Sequence, residues 1–117
     1  MADRSALGRT GEDLAAAHLV RAGWTILARN VRTREGELDI VAVRADTIAF
    51  VEVKTRRSRA FGSPAEAVTA RKARRIRGLA AAYLTQHRAR AGRVRFDVIE
   101  VAGTGDRFRI THLEDAF

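Results

Sequence analysis

Four charged side chains stand inside two apolar runs: Glu37 and Asp39 in GELDIVAV, and Glu52 and Lys54 in IAFVEVK. Side chains alternate across a strand, so Glu37 and Asp39 share one face of the first run and Glu52 and Lys54 one face of the second. A hairpin turning at Ala45 and Asp46, or over the four residues 44–47, pairs 43 with 48, 41 with 50, 39 with 52 and 37 with 54. Asp39 then lies opposite Glu52, with Cβ atoms about 4.5–5.5 Å apart, and two carboxylates at that range repel unless a positive charge sits between them. A hard divalent cation, Mg²⁺ or Mn²⁺, meets that need, because it takes one or two carboxylates and completes its shell with water and substrate phosphate. Lys54 would stand beside it, to orient or deprotonate a water or to offset charge on a phosphoryl transition state. Glu37 is placed to orient Lys54 or a water. A three-residue loop would break this alignment, and then Glu37 and Lys54 form a cross-strand ion pair while Asp39 and Glu52 lie on a wet face. Ile48 and Phe50 share parity with Glu52 and Lys54, however, and carboxylates on an apolar face are costly unless paired or metal-bound.

Lysine usage marks the same place. Of 22 basic residues only Lys54 and Lys72 are lysine. An ammonium is a compact charge whose pKa can be tuned, whereas a guanidinium is a flat fork that stays protonated. Lys72 falls inside the apolar stripe that Val68, Ile76, Leu79, Ala80 and Tyr83 make at helical spacing, while Arg71 and Arg74 point away from it. Either it snorkels from the first turns of its helix, or it reaches the strand site and touches the scissile phosphate.

The elements that must hold these residues follow from pattern. Residues 7–22 predict an amphipathic helix with Leu7, Leu14, Ala15, His18, Leu19 and Ala22 on its apolar face, closed by Gly23. WTILARNV reads as a strand, followed by the two strands of the hairpin. Pro64, after Ser63 as a candidate N-cap, predicts the start of a second helix that runs to about Ala89. GRVRFDVIEV and FRITHL complete the chain as strands separated by AGTGD. The expected fold is α/β, in αβββαββ order, with a mixed central sheet flanked by helices, as one domain over residues 1–117.

The absence of cysteine excludes a disulfide framework and a cysteine-ligated zinc site, and none of His18, His87 and His112 has ligand spacing to another. Neither a signal peptide nor an apolar span is visible, so a cytoplasmic protein away from membranes is expected. The net charge of +8 points to a polyanionic partner. From Lys54 to Arg95 thirteen bases stand against one acid, Glu66. A one-signed surface repels itself unless phosphates neutralise it, which favours nucleic acid. Arg56, Arg57, Arg59, Arg74 and Arg75 are the expected phosphate contacts, giving salt-sensitive and largely sequence-independent affinity.

GEDLAAAHL, GELDIVAV, FVEVKTR, FGSPAEAV, RKARRIR and FDVI, in this order, resemble the YraN family of small bacterial proteins, over nearly the whole chain from Gly8. That family resembles the restriction-endonuclease-like, or PD-(D/E)xK, nuclease superfamily, with archaeal Holliday-junction resolvases as relatives. The resemblance implies a restriction-endonuclease-like core, Asp39 and Glu52 as metal ligands and Lys54 as the catalytic lysine. It also places Glu12 near the metal, where the other reading of Glu12 is a favourable interaction with the helix N-terminus. The superfamily's proline before the first aspartate is absent, since Leu38 stands there. The implied activity is Mg²⁺-dependent hydrolysis of phosphodiesters in DNA, branched or single-stranded, and a junction cutter would need two sites and hence a homodimer. The alternatives are a non-catalytic nucleic-acid-binding module of the same fold and a basic adaptor for an acidic protein partner.

Overall fold

The computed structural model describes residues 6–57 and 68–117. The elements are α1 (Ala6–Arg21), β1 (Thr25–Thr33), β2 (Gly36–Arg44), β3 (Thr47–Arg56), α2 (Ala70–Gln86), β4 (Arg93–Thr104) and β5 (Arg107–Leu113), in the expected αβββαββ order. They form one five-stranded sheet in the order β1-β2-β3-β4-β5. Neighbours are antiparallel except β3 and β4, which are parallel. Parallel neighbours cannot be joined by a tight turn, and α2 lies in the connection between them.

The sheet is covered on both faces. Ala15, Ala16 and Leu19 of α1 pack with Trp24 on Ile40, Ala42, Ala49, Val51, Ile99 and Val101. Ile76, Leu79, Ala80 and Tyr83 of α2 pack on Leu38, Val41, Ile48, Phe50 and Phe96 from the other side. Strands buried on both faces read as continuous apolar runs, which is why IVAV and IAFV hardly alternate. Among the described residues no helix is long and apolar enough to cross a membrane.

Local expectations are corrected at both helices and at the last turn. The buried face of α1 is Gly11, Glu12, Ala15, Ala16 and Leu19, and Ala22 is exposed. Small residues face inward here because the helix runs close to β3, and a Cβ on Gly11 would overlap the Thr55 side chain. Helix α2 begins at Ala70: Thr69 ahead of it is extended (φ −76°, ψ 166°) and its hydroxyl accepts from the Lys72 N–H. This cap satisfies a donor that the first turn leaves open. Ser63 and Pro64 lie outside the described residues. At the other end the helix stops at Gln86, and Arg88 already has φ of 50°. The last turn is also tighter than expected, since β4 and β5 pair out to Thr104 and Arg107 around Gly105 and Asp106.

Candidate active site

The β2–β3 hairpin turns at Ala45 and Asp46, with Ala45 at φ 53°. The Asp46 carbonyl accepts from the Gly92 and Arg93 N–H groups at 2.8 and 3.2 Å, which anchors a turn whose residues alone do not favour it. From there the ladder runs in the expected register, Arg44 with Thr47 through to Ile40 with Val51, and stops. One residue further, Asp39 Oδ2 accepts the Val53 N–H at 2.9 Å. A side chain has replaced a backbone carbonyl, so the strands part and the carboxyl group sits between them. Asp39 and Glu52 thus come together as the register implied, although 39 with 52 and 37 with 54 are not ladder pairs.

The Asp39 and Glu52 carboxyl groups are close enough for a hydrogen bond between them to enter the electrostatics of the pair. Burial, then the charge of Glu52 and that hydrogen bond, push Asp39 up to about 8, against the pull of the Val53 N–H; the charge of Glu12 adds to the rise. Glu52 is 8% exposed and Glu12 4%. Glu12 Oε1 also lies 3.9 Å from Arg29 Nη2. Among the described residues no three carboxylate or imidazole groups converge as a cage for an ion. Two buried carboxyl groups at one point do match the donors that a magnesium-type cation takes, hard oxygens with the remaining positions left to water and phosphate. The crevice around them is lined by Glu37, Leu38, Ile40, Phe50, Val51 and Ile76.

Of the two lysines, Lys72 reaches the pair. Its Nζ lies 2.7 Å from Glu52 Oε2, with the side chain 33% exposed. The Thr69 cap sets where α2 starts, and so puts Lys72 in the first turn over β3. Lys54, two residues beyond Glu52 and so on the same strand face, is exposed and stands beside Glu100 in the ladder. Glu37 lines the crevice and holds Arg32 at 2.9 Å.

The expected phosphate contacts separate. Arg57, Arg74 and Arg75 are exposed, whereas Arg56 lies 3.4 Å from buried Glu100 with its side chain 15% exposed. Its charge is engaged within the fold. Arg59 lies outside the described residues.

A second polar cluster was not foreseen. Asp97, fully buried on β4, receives two hydrogen bonds from Arg95 at 3.0 and 2.9 Å, the Asp115 N–H at 2.9 Å and His112 Nε2 at 2.7 Å. His112 Nδ1 meets His18 Nε2 of α1 at 3.2 Å. Burial alone would raise the Asp97 carboxyl, but His112, Arg95 and the Asp115 N–H together hold it at about 2. His18 is lowered by burial, by His112 and by Arg21. The cluster ties α1, β4, β5 and the C-terminal turn together. The two histidines are 94 residues apart, so spacing could not reveal them.

Residues 11–101 match the family described as "Uncharacterised protein family UPF0102". A UPF0102 protein from Rhodococcus opacus is 51% identical over 100% of both chains. One from Rhodococcus jostii is 52% identical over the same extent, and one from Alkaliphilus oremlandii is 48% identical over 95% of this chain and 97% of its own.

Proposed function

We propose that this chain, which belongs to the UPF0102 (YraN) family, is a metal-dependent nuclease that hydrolyses phosphodiesters in DNA on a restriction-endonuclease-like core. The observation that carries this reading is the buried Asp39–Glu52 carboxyl pair at the point where β2 and β3 part, with Lys72 at 2.7 Å and Lys54 on the same strand face. A fold gains nothing from two acids in one crevice, and their mutual cost falls when a cation lies between them.

Asp39 and Glu52 would hold Mg²⁺ or Mn²⁺, with Glu12 shaping the field from the other side of the sheet. The bound ion supplies Lewis-acid polarisation of the phosphodiester and acidifies water. The protein's own groups do the rest. The Val53 N–H fixes one Asp39 oxygen, and Lys72 pairs with Glu52 and fixes it in place. Lys54, exposed beside the crevice, is positioned to offset negative charge that develops on the phosphoryl oxygens. Arg57, Arg74 and Arg75, all exposed, would neutralise backbone phosphates, which gives affinity without base readout.

A second reading is a nucleic-acid-binding module without turnover. It is favoured by the ion pair between Lys72 and Glu52, which already compensates one acid, and by the lack of a third converging ligand among the described residues. The experiment is incubation with linear, single-stranded and four-way-junction DNA in Mg²⁺, Mn²⁺ or EDTA, beside Asp39→Ala and Lys54→Ala. Metal-dependent cleavage lost in both variants supports the nuclease. Binding without cleavage on every substrate overturns it in favour of the module.

A further inference from the structure

Beside the acid crevice lies a groove of about 340 Å³, lined by Glu35, Arg74, Arg75, Gly78, Leu79 and Ala82. The two are neighbours on one face. Glu37 and Ile76 line the crevice, while Glu35, two residues earlier, and Leu79, one helical turn later, line the groove. The volume lies in the range of small-molecule sites, large enough for one nucleoside.

The floor contains a residue that folding does not explain. Gly78 lies in the middle of the 17-residue helix α2, is exposed, and among the described residues has nothing within 4 Å of where a Cβ would stand. Glycine in a helix interior is less stable than alanine, and no close approach from the described residues calls for it here. What the missing side chain provides is depth. On the rim, Arg74 and Arg75 are exposed and have no ion-pair partner among the described residues, and the Arg75 side chain runs alongside Gly36 at the start of β2. An apolar floor of Gly78, Leu79 and Ala82 suits the flat face of a base, two guanidiniums suit its flanking phosphates, and the Glu35 carboxylate can accept from an exocyclic amino group. A continuous duplex keeps its bases stacked inside and offers such a groove nothing.

We propose that this groove seats one unstacked nucleotide next to the scissile phosphate, so that the protein selects DNA with an unpaired base. The inference rests on the nucleic-acid reading of the acid site and specifies its substrate.

The test uses Gly78→Leu, whose side chain enters open space and whose helix is strengthened, with Ala82→Leu as the second blocking variant. Binding is measured in EDTA by fluorescence anisotropy against a single-stranded oligonucleotide and the matching duplex, and 2-aminopurine in the single strand reports its surroundings on binding. The expected result is a loss of single-strand affinity of about tenfold in both variants, with duplex affinity unchanged and the 2-aminopurine response abolished. Melting curves at or above the wild-type temperature for Gly78→Leu show that the fold is kept. Equal single-strand affinity and an unchanged 2-aminopurine response in both variants overturn the proposal. Because no metal is present, the result is separable from the nuclease reading. A blocked response in a protein that never cleaves sustains the groove and removes the nuclease, and cleavage of single strands and duplex alike, indifferent to Gly78→Leu, does the reverse.

Discussion

Asp39→Asn should stabilise the metal-free protein, and by an amount that grows with pH. The Asp39 carboxyl has an ordinary value of 3.8 and stands at about 8 in the fold, raised first by burial and then by Glu52. A raised carboxyl stabilises fully below its unfolded value and loses that contribution as pH climbs to the folded one. Between pH 4 and 8 the folded chain therefore keeps a proton that the unfolded chain releases, and stability falls by up to about 1.4 kcal/mol per pH unit. Coupling to the charged neighbours and residual water bring this to on the order of 1 kcal/mol per pH unit. Asparagine keeps an oxygen for the Val53 N–H and an amide to donate to Glu52, and it does not titrate. Chemical denaturation in EDTA at pH 4.5 and pH 8, for both proteins, gives the difference directly, and contributions from other groups cancel. The variant should gain about 3 kcal/mol on the wild type across that interval, roughly 10 °C in melting temperature for a chain of this size. A difference that stays flat from pH 4.5 to 8 would mean that Asp39 carries no retained proton, and the account of the crevice would fail.

Asp97 behaves in the opposite sense. Its carboxyl is depressed to about 2, so its contribution, on the order of 2 kcal/mol, is present above about pH 4 and is lost as pH falls towards 2. Asp97→Asn should destabilise at pH 7 by at least that amount and flatten the acid limb of a melting-temperature profile. Gly11→Val should cost about 1–3 kcal/mol in denaturant unfolding through its collision with Thr55, and Thr55→Ala in the same chain should recover part of it. Arg74→Ala with Arg75→Ala should reduce the slope of log affinity against log salt for DNA by about 1.4–1.8, the release expected for two phosphate contacts.

The strands and the hairpin register could be read from residue pattern because parity and turn length fix both, and Arg44 with Thr47 through Ile40 with Val51 pair as that reading requires. The end of the ladder could not be read, since it depends on Asp39 taking the Val53 N–H in place of a carbonyl. Lys72 stood out by its position on the helical wheel, and its Nζ does meet Glu52. The face of α1 was misjudged because hydrophobicity favours Ala22 over Gly11, whereas contact with Thr55 selects for absence of bulk. Thr69, whose hydroxyl caps α2, carries no stronger local signal than Ser63 before Pro64, and that pair lies outside the described residues. The links of His18 to His112 and of Arg56 to Glu100 join distant segments and leave no local signature.

The central claim is that Asp39 and Glu52 form a divalent-cation site. Mn²⁺ titration followed by electron paramagnetic resonance, with Mg²⁺ as competitor, tests it without any assumption about substrate. One Mn²⁺ per chain, displaced by Mg²⁺ and lost in both Asp39→Asn and Glu52→Gln, is the predicted result. No binding by the folded wild type, or binding that survives both substitutions, would contradict it.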